Sequence, residues 1–198
     1  MRQDQNLAGM VEIYPVKETI ELALKLRPQA KKLVVVGDNT VSSKGTSDQV
    51  LAQAHNFPQL AFSVLDSTNY QTEALARQLR SYDDDTILWY GVFSIDGSGR
   101  HYDIADGAAF VSSAARVPVF KADEAGIGEG ILGGCALSYD DVGKQTGEMV
   151  RKILTGATTI AALGYRTSGN NYVFDLQQLN RFKISKGQLP HETIGAIF

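Results

Sequence analysis

The sequence predicts an α/β fold, a parallel sheet with helices on both faces, followed by a C-terminal appendage. Three observations carry that expectation. Leu33-Val34-Val35-Val36 is a continuous apolar run of the kind seen in strands buried on both faces, the mark of a parallel sheet. Strand-like and helix-like segments then alternate as far as residue 137, which calls for right-handed crossovers. Finally, Ser138 to Gly156 carries helix signals at both ends.

Taken in order, Pro15 opens the first helix and Pro28 closes it, with Val16, Ile20, Ala23 and Leu24 on one face. Glu21 and Lys25 stand at i,i+4 as an ion pair. Leu33 to Val36 is strand one, and Gly37-Asp38-Asn39-Thr40 is the turn after it. A helix is expected from about Ser47, carrying Val50, Leu51 and Ala54. Ala61 to Leu65 forms strand two, and Thr68 with Gln71 reads as a capping box for a helix bearing Leu75 and Leu79. Thr86 to Tyr90 is strand three. Asp103 and Asp106 open an alanine-rich helix that runs through Ala115. Val117 to Phe120 and Leu132 to Leu137 give strands four and five.

Ser138 then caps a helix together with Asp141, and Asp140 and Asp141 sit at the positive end of its dipole. Arg151 and Lys152 sit at the negative end. Val142, Thr146, Met149, Val150, Ile153 and Leu154 share one stripe, so the helix is expected to bury one face before Gly156 ends it. Residues 158–167 show no firm period. Gly169-Asn170-Asn171 reads as a turn, Tyr172-Val173-Phe174 as a short strand, and Leu176, Leu179 and Phe182 as a helix.

Composition narrows the function. The 198 residues are 43% hydrophobic and 21% charged, ordinary for a soluble globular protein. A net charge of -3 and the lack of a basic run interleaved with aromatics argue against nucleic-acid binding. One cysteine, Cys135, excludes an internal disulfide and a multi-cysteine metal site, and it reads as a small buried thiol. His55, His101 and His191 show no spacing that would make it a nucleophile. No apolar run approaches the roughly 20 residues that span a bilayer. Met1 to Asn6 is polar and lacks the apolar core of a secretory signal, which leaves a cytoplasmic protein or a piece of an exported one.

Gly128-Glu129-Gly130-Ile131-Leu132-Gly133 matches the dinucleotide pattern G-x-G-x-x-G, but it runs into a strand rather than a helix start. Close backbone packing and a loop over a cleft is the preferred reading. A nucleotide-dependent α/β enzyme using this loop is the alternative from another class. Asp83-Asp84-Asp85 precedes a strand, at the end where open parallel sheets do not place ligands, and reads as a solvated turn. The turns at the carboxyl ends of the strands are better placed. There the candidate ligand-binding residues are Asp38, Asn39, Thr40, Ser67, Tyr90, Phe93 and Asp123, a mix suited to a polar ligand with an apolar or cationic part. Asp38, Thr40 and Ser67 equally suit turn and helix caps. The loop Phe93 to Tyr102 is long for a strand-to-helix link and reads either as a ligand lid or as a surface loop.

Several stretches carry a family resemblance. Asn6-Leu7-Ala8-Gly9-Met10-Val11-Glu12, Thr19 to Ala23 and Leu26 to Lys32 resemble the interlobe crossing and the start of the second lobe of ABC-type substrate-binding proteins. Pro118-Val119-Phe120, Gly128 to Gly134, Gly143 to Gly156, Tyr172 to Asp175 and Leu179 to Ile184 resemble the later part. Leu189-Pro190 looks like the variant that serves as extracytoplasmic sensor of bacterial histidine kinases or cyclases.

The resemblance implies the type I periplasmic-binding fold, in which two α/β lobes close on a ligand about crossing strands. On that footing residues 1–137 are a ligand-binding second lobe. Residues 138–198 supply a return helix, a crossing strand and a C-terminal segment that packs on a missing first lobe. The implied function is sensing of a small extracytoplasmic solute (an amino acid, sugar or organic molecule), or its delivery to an ABC transporter. No catalytic residue, metal or cofactor is implied. The expected partners are a membrane-bound protein or fused transmembrane segment, and a second copy of the chain in a homodimer formed by the return segments.

Overall fold

Beginning with β1 (Gly9–Val11), the chain passes through Pro15 into α1 (Val16–Leu26), β2 (Lys32–Gly37) and α2 (Val41–Leu51) in the computed structural model, which describes residues 7–191 and 193–197. β3 (Ala61–Asp66), α3 (Thr72–Arg80), β4 (Thr86–Tyr90), α4 (Ile104–Ala114), β5 (Val119–Phe120) and β6 (Gly133–Leu137) continue the alternation. α5 (Tyr139–Leu154), α6 (Ile160–Leu163), β7 (Tyr165–Thr167), β8 (Asn170–Asp175), α7 (Leu176–Arg181) and β9 (Thr193–Ile197) follow.

The main sheet has the order β3-β2-β4-β5-β6-β8-β9. Its first five strands are mutually parallel, β8 runs antiparallel to β6, and β9 runs parallel to β8. The fold is therefore α/β with a mostly parallel sheet. Both faces are covered because alternate side chains of the central strands point opposite ways. Leu33, Val35, Ile87 and Trp89 meet Ile20 and Ala23 of α1 in one core. Val34, Val36, Leu88 and Tyr90 meet Leu75 and Leu79 of α3 and Val111 of α4 in the other. Each buried Val, Leu or Ile among them contributes about 1.5–3 kcal/mol, so these two layers hold the sheet and its helices together.

Element ends differ from the sequence expectations where polar side chains decide. α2 begins at Val41 rather than near Ser47, because the Thr40 hydroxyl accepts from the Ser43 N–H at 3.2 Å and caps a start that has no apolar period. The Thr68–Gln71 capping box does not form. Asp66 Oδ1 takes the Thr68 N–H and hydroxyl instead, at 3.0 and 2.6 Å, and α3 begins after Gln71. On α1 the ion pair is Lys17–Glu21 at 3.8 Å rather than Glu21–Lys25, an exposed contact of little weight. Strand four shortens to Val119–Phe120, and the turn expected at Gly169–Asn171 gives way to a strand from Asn170.

The region after residue 137 divides in two. β8 pairs with the free edge of β6, Phe174 is fully buried, and Leu179 and Leu189 enter the same core as Ile20 and Trp89. This corrects the expectation that the whole segment packs elsewhere: β6 would otherwise leave a row of unpaired N–H and C=O groups, and β8 satisfies them. Gly133 makes the pairing possible. Its φ is +113°, and a Cβ there would lie 2.0 Å from the Val173 carbonyl oxygen.

α5 behaves otherwise. It forms as expected, with Ser138 Oγ accepting from the Asp141 N–H at 3.4 Å and with Lys144–Asp140 and Arg151–Glu148 pairs along its surface. Of its apolar stripe only Met149 is buried, while Val150 is 48% and Leu154 81% exposed. Beside it β1 and β7 form a separate parallel pair in register Gly9–Tyr165 to Val11–Thr167. These two short strands stand apart from the main sheet.

Candidate functional site

A cavity of about 770 Å³ opens at the carboxyl ends of β4 and β5 and at the N-termini of α1, α4 and α5. Its place follows from topology. The crossover from β3 passes over β2 to reach β4, so the strand order reverses between β2 and β4, and open α/β sheets leave a crevice outside the strand ends at such a point. The volume falls in the ordinary range for small-molecule pockets, about 300–1,000 Å³.

Aromatic rings dominate its walls. Tyr90 ends β4 and Phe93 follows it. Tyr102 stands just before α4, Tyr14 just before α1, and Tyr139 is the first residue of α5. Phe93 and Tyr102 stack at 4.4 Å between ring centroids, tilted by 34°. The Tyr14 and Tyr139 hydroxyls lie 3.3 Å apart, and the Tyr14 hydroxyl donates to Glu12 Oε2 at 3.1 Å. Burial, reinforced by the carboxylates of Asp103, Asp123 and Asp38, pushes the Tyr90 phenol well above its usual range. Burial does the same for Tyr139, so both hydroxyls stay protonated at any physiological pH.

One ion pair stands among these rings. Lys121 and Asp123, 9% and 8% exposed, meet at 2.9 Å between Nζ and Oδ1. The ammonium also donates to the Ala125 carbonyl at 3.2 Å and lies 5.4 Å from the centroid of the Tyr90 ring. Asp123 Oδ1 accepts in addition the Ala125 N–H at 2.9 Å, which folds the turn after β5 around the pair.

Of the seven residues expected to bind ligand, the structure brings Tyr90, Phe93 and Asp123 together in the cavity wall. Asp38, Asn39, Thr40 and Ser67 lie outside it. Asp38 is a buried brace: Oδ1 takes the Thr40 N–H and hydroxyl at 2.9 and 2.5 Å, and Oδ2 takes the Ser94 N–H at 2.7 Å. Thr40 caps α2, and the Ser67 hydroxyl donates to the Ile95 carbonyl at 2.7 Å. Asn39 is exposed.

Sequence reasoning missed Lys121, Tyr14 and Tyr139. A usable signal existed for all three. In alternating βα units the helix starts lie at the same end as the carboxyl ends of the strands. The residues beside Pro15 and Ser138, and the residue directly after Phe120, therefore face one rim.

The loop from Phe93 to Tyr102 proves to be tied down rather than poised as a lid. Asp96, 2% exposed, accepts from the hydroxyls of Thr72, Ser98 and Tyr102 at 2.5, 2.5 and 2.9 Å and from the N–H groups of Ser98 and Arg100 at 2.9 and 3.1 Å. Burial alone would raise the Asp96 carboxyl, but these donors outweigh it and hold the group well below the usual carboxylate range.

The glycine run meets no helix start. Gly128 donates its N–H to Asp175 Oδ2 at 3.2 Å, and a Cβ on Gly130, where φ is +109°, would meet the Ser112 side chain at 2.5 Å. Its glycines serve close packing, and the helix that would hold a pyrophosphate is absent there. Burial raises the Cys135 thiol to about 11, the mark of an inert core cysteine. The acidic triplet is likewise structural: Arg27 Nη2 pairs with Asp84 at 2.8 Å and Lys32 with Asp85 at 2.7 Å, at the sheet end away from the cavity. Among the described residues no three metal-type side chains gather, and no helix is long and apolar enough to cross a membrane.

Comparison with known proteins fits this geometry. The family described as ABC transporter substrate binding protein matches residues 1–186. A tyrosine-binding protein of Clostridioides difficile (strain R20291) is 23% identical over 157 residues, 76% of this chain and 42% of its own length. The chain thus spans well under half of that relative.

Among solved structures, the ligand-free, open form of a substrate-binding protein with adhesive properties from Clostridium difficile aligns with a TM-score of 0.70. It is 22% identical and covers 96% of this chain and 62% of its own. A Streptococcus pneumonia ABC domain in complex with L-Trp gives a TM-score of 0.66 at 20% identity, over 98% of this chain and 68% of its own. At these identities the structural likenesses establish the fold, and the family match over nearly the whole chain establishes kinship. The chain belongs to the ABC transporter substrate-binding protein family.

Proposed function

We propose that this chain supplies one jaw of an extracytoplasmic binding protein that delivers an aromatic amino acid to an ABC transporter, binding its ligand without converting it. The observation that carries the reading is the aromatic-walled cavity at the topological switch point, large enough for such a ligand and holding one buried ion pair. The tyrosine-binding relative and the neighbour crystallised with L-Trp support the ligand class. The family match supports delivery over the sensory role that Leu189-Pro190 suggested. The exposed stripe of α5 and the paired crossing strands β1 and β7 support a hinged arrangement with a second lobe.

A thermal-shift screen of the gene's full product tests the reading. L-Tyrosine, L-tryptophan or L-phenylalanine at 100 times its Kd should stabilise the protein by about 2.7 kcal/mol, against no shift with a sugar or a dicarboxylate. A melting temperature unmoved by all three amino acids would remove it.

A further inference from the structure

We propose that Lys121 and Asp123 form a split-charge subsite that takes the α-carboxylate and the α-ammonium of a free amino acid. The inference rests on the amino-acid reading above and goes beyond it: the cavity would choose its ligand by the charged backbone as well as by the ring.

Both residues are buried, with side chains only 11% and 12% exposed, yet both line the cavity. A buried ion pair is stable only where its remaining donors and acceptors are also met. An ammonium has three N–H donors, and among the described residues two are taken, by Asp123 Oδ1 and the Ala125 carbonyl. Asp123 spends Oδ1 twice, on Lys121 and on the Ala125 N–H, and its Oδ2 takes no hydrogen bond from the described residues. One donor and one acceptor of opposite charge therefore stand side by side in the cavity wall.

An α-amino acid presents the complementary pair on a single carbon. The Tyr90 ring, its centroid 5.4 Å from the ammonium, covers part of Lys121 and adds an aromatic face beside the charges. Charge balance points the same way. The pair is neutral as it stands, so a zwitterion keeps it neutral, whereas an amine or a lone carboxylate would add an uncompensated charge beside a buried ion pair.

Calorimetric titration of the gene's full product tests the subsite. The ligand series is L-tyrosine, tyramine (which lacks the carboxylate) and 3-(4-hydroxyphenyl)propionate (which lacks the ammonium), with L-leucine and isopentylamine as a pair without an aromatic ring. The wild-type protein should bind L-tyrosine about 30-fold or more tighter than either truncated analogue, the loss expected when a charge-assisted hydrogen bond is left unmade. Lys121→Met, which keeps the bulk of the stem, should narrow the gap between L-tyrosine and tyramine to a few-fold.

Equal affinity of the wild type for all three tyrosine analogues would overturn the subsite while leaving the aromatic reading intact. So would a Lys121→Met variant that keeps the full preference. Binding of L-leucine over isopentylamine without binding of any aromatic compound would uphold the subsite and overturn the aromatic reading. Failure of every ligand would overturn both. Because the analogue series runs on the wild type, it decides the matter even if Lys121→Met does not fold.

Discussion

The helices α1 and α5 carry equally clean apolar stripes and comparable end signals, yet they meet opposite fates. α1 lies across the sheet with Ile20 and Ala23 fully buried, and its Thr19 hydroxyl donates to the Cys135 carbonyl of β6 at 2.7 Å. α5 buries Met149 and leaves Val150 and Leu154 in the open. The difference teaches that periodicity announces a face needing cover but does not name the cover. α1 finds it in β6 of the main sheet, where Gly134 lets the Thr19 side chain come close. α5 has the short pair β1 and β7 beside it and little more among the described residues.

The contrast makes a steep gradient of mutational effect. Phe174→Ala removes a fully buried ring from β8, which joins the same core as α1, and should cost about 3–5 kcal/mol by chemical denaturation. A cost under about 1 kcal/mol would mean that β8 does not belong to this core.

Asp96→Asn comes next, with a loss of about 1–3 kcal/mol, because its amide would turn an N–H₂ group toward hydroxyls that now donate. The sign with pH follows from the depressed carboxyl. Asp96 contributes fully above its ordinary value of 3.8, and that contribution fades as pH falls through its lower folded value. Acid unfolding of Asp96→Asn should therefore be flatter than that of wild type at the acid end. Parallel curves would show that the network does not hold the loop.

Smallest is Leu154→Ser, on a side chain 81% exposed, which should change the stability of the described fold by less than about 0.5 kcal/mol. A larger loss in the gene's full product would mean that α5 is covered there. That result would sharpen the comparison rather than erase it.

Much of the fold was legible from the chain alone, for physical reasons. Leu33 to Val36 and Thr86 to Tyr90 are buried on both sides, as the strands of a covered parallel sheet are. Asp103 and Ser138 cap helices as their spacing required, the Asp103 carboxylate accepting from the Asp106 N–H at 2.8 Å. The start of α2 was not legible, because Val41-Ser42-Ser43-Lys44-Gly45 shows no apolar period and depends on the Thr40 cap and on packing below it. Nor was the return of β8 to β6, since pairing of strands distant in sequence leaves no local signature.

The site divides along the same line. Tyr90, Phe93 and Asp123 line the cavity because the ends of buried strands locate a rim whatever the ligand. Asp38, Thr40 and Ser67 share the strand-end position but are short and polar, and such side chains satisfy nearby backbone groups before they meet a solute. Tyr14 and Tyr139 each flank a helix start, where Pro15 and Ser138 account for the local pattern as helix signals and only the shared rim of the βα units marks the rings.

Trp89, the one tryptophan of the chain, lies in the cavity wall beside Tyr90, so its emission reports directly on what enters. Titration of the gene's full product with L-tyrosine, exciting tryptophan selectively, should give a saturable change in Trp89 emission with the same midpoint as the calorimetric isotherm. Binding detected by heat while the emission of Trp89 stays flat would place the ligand elsewhere and contradict the assignment of this cavity.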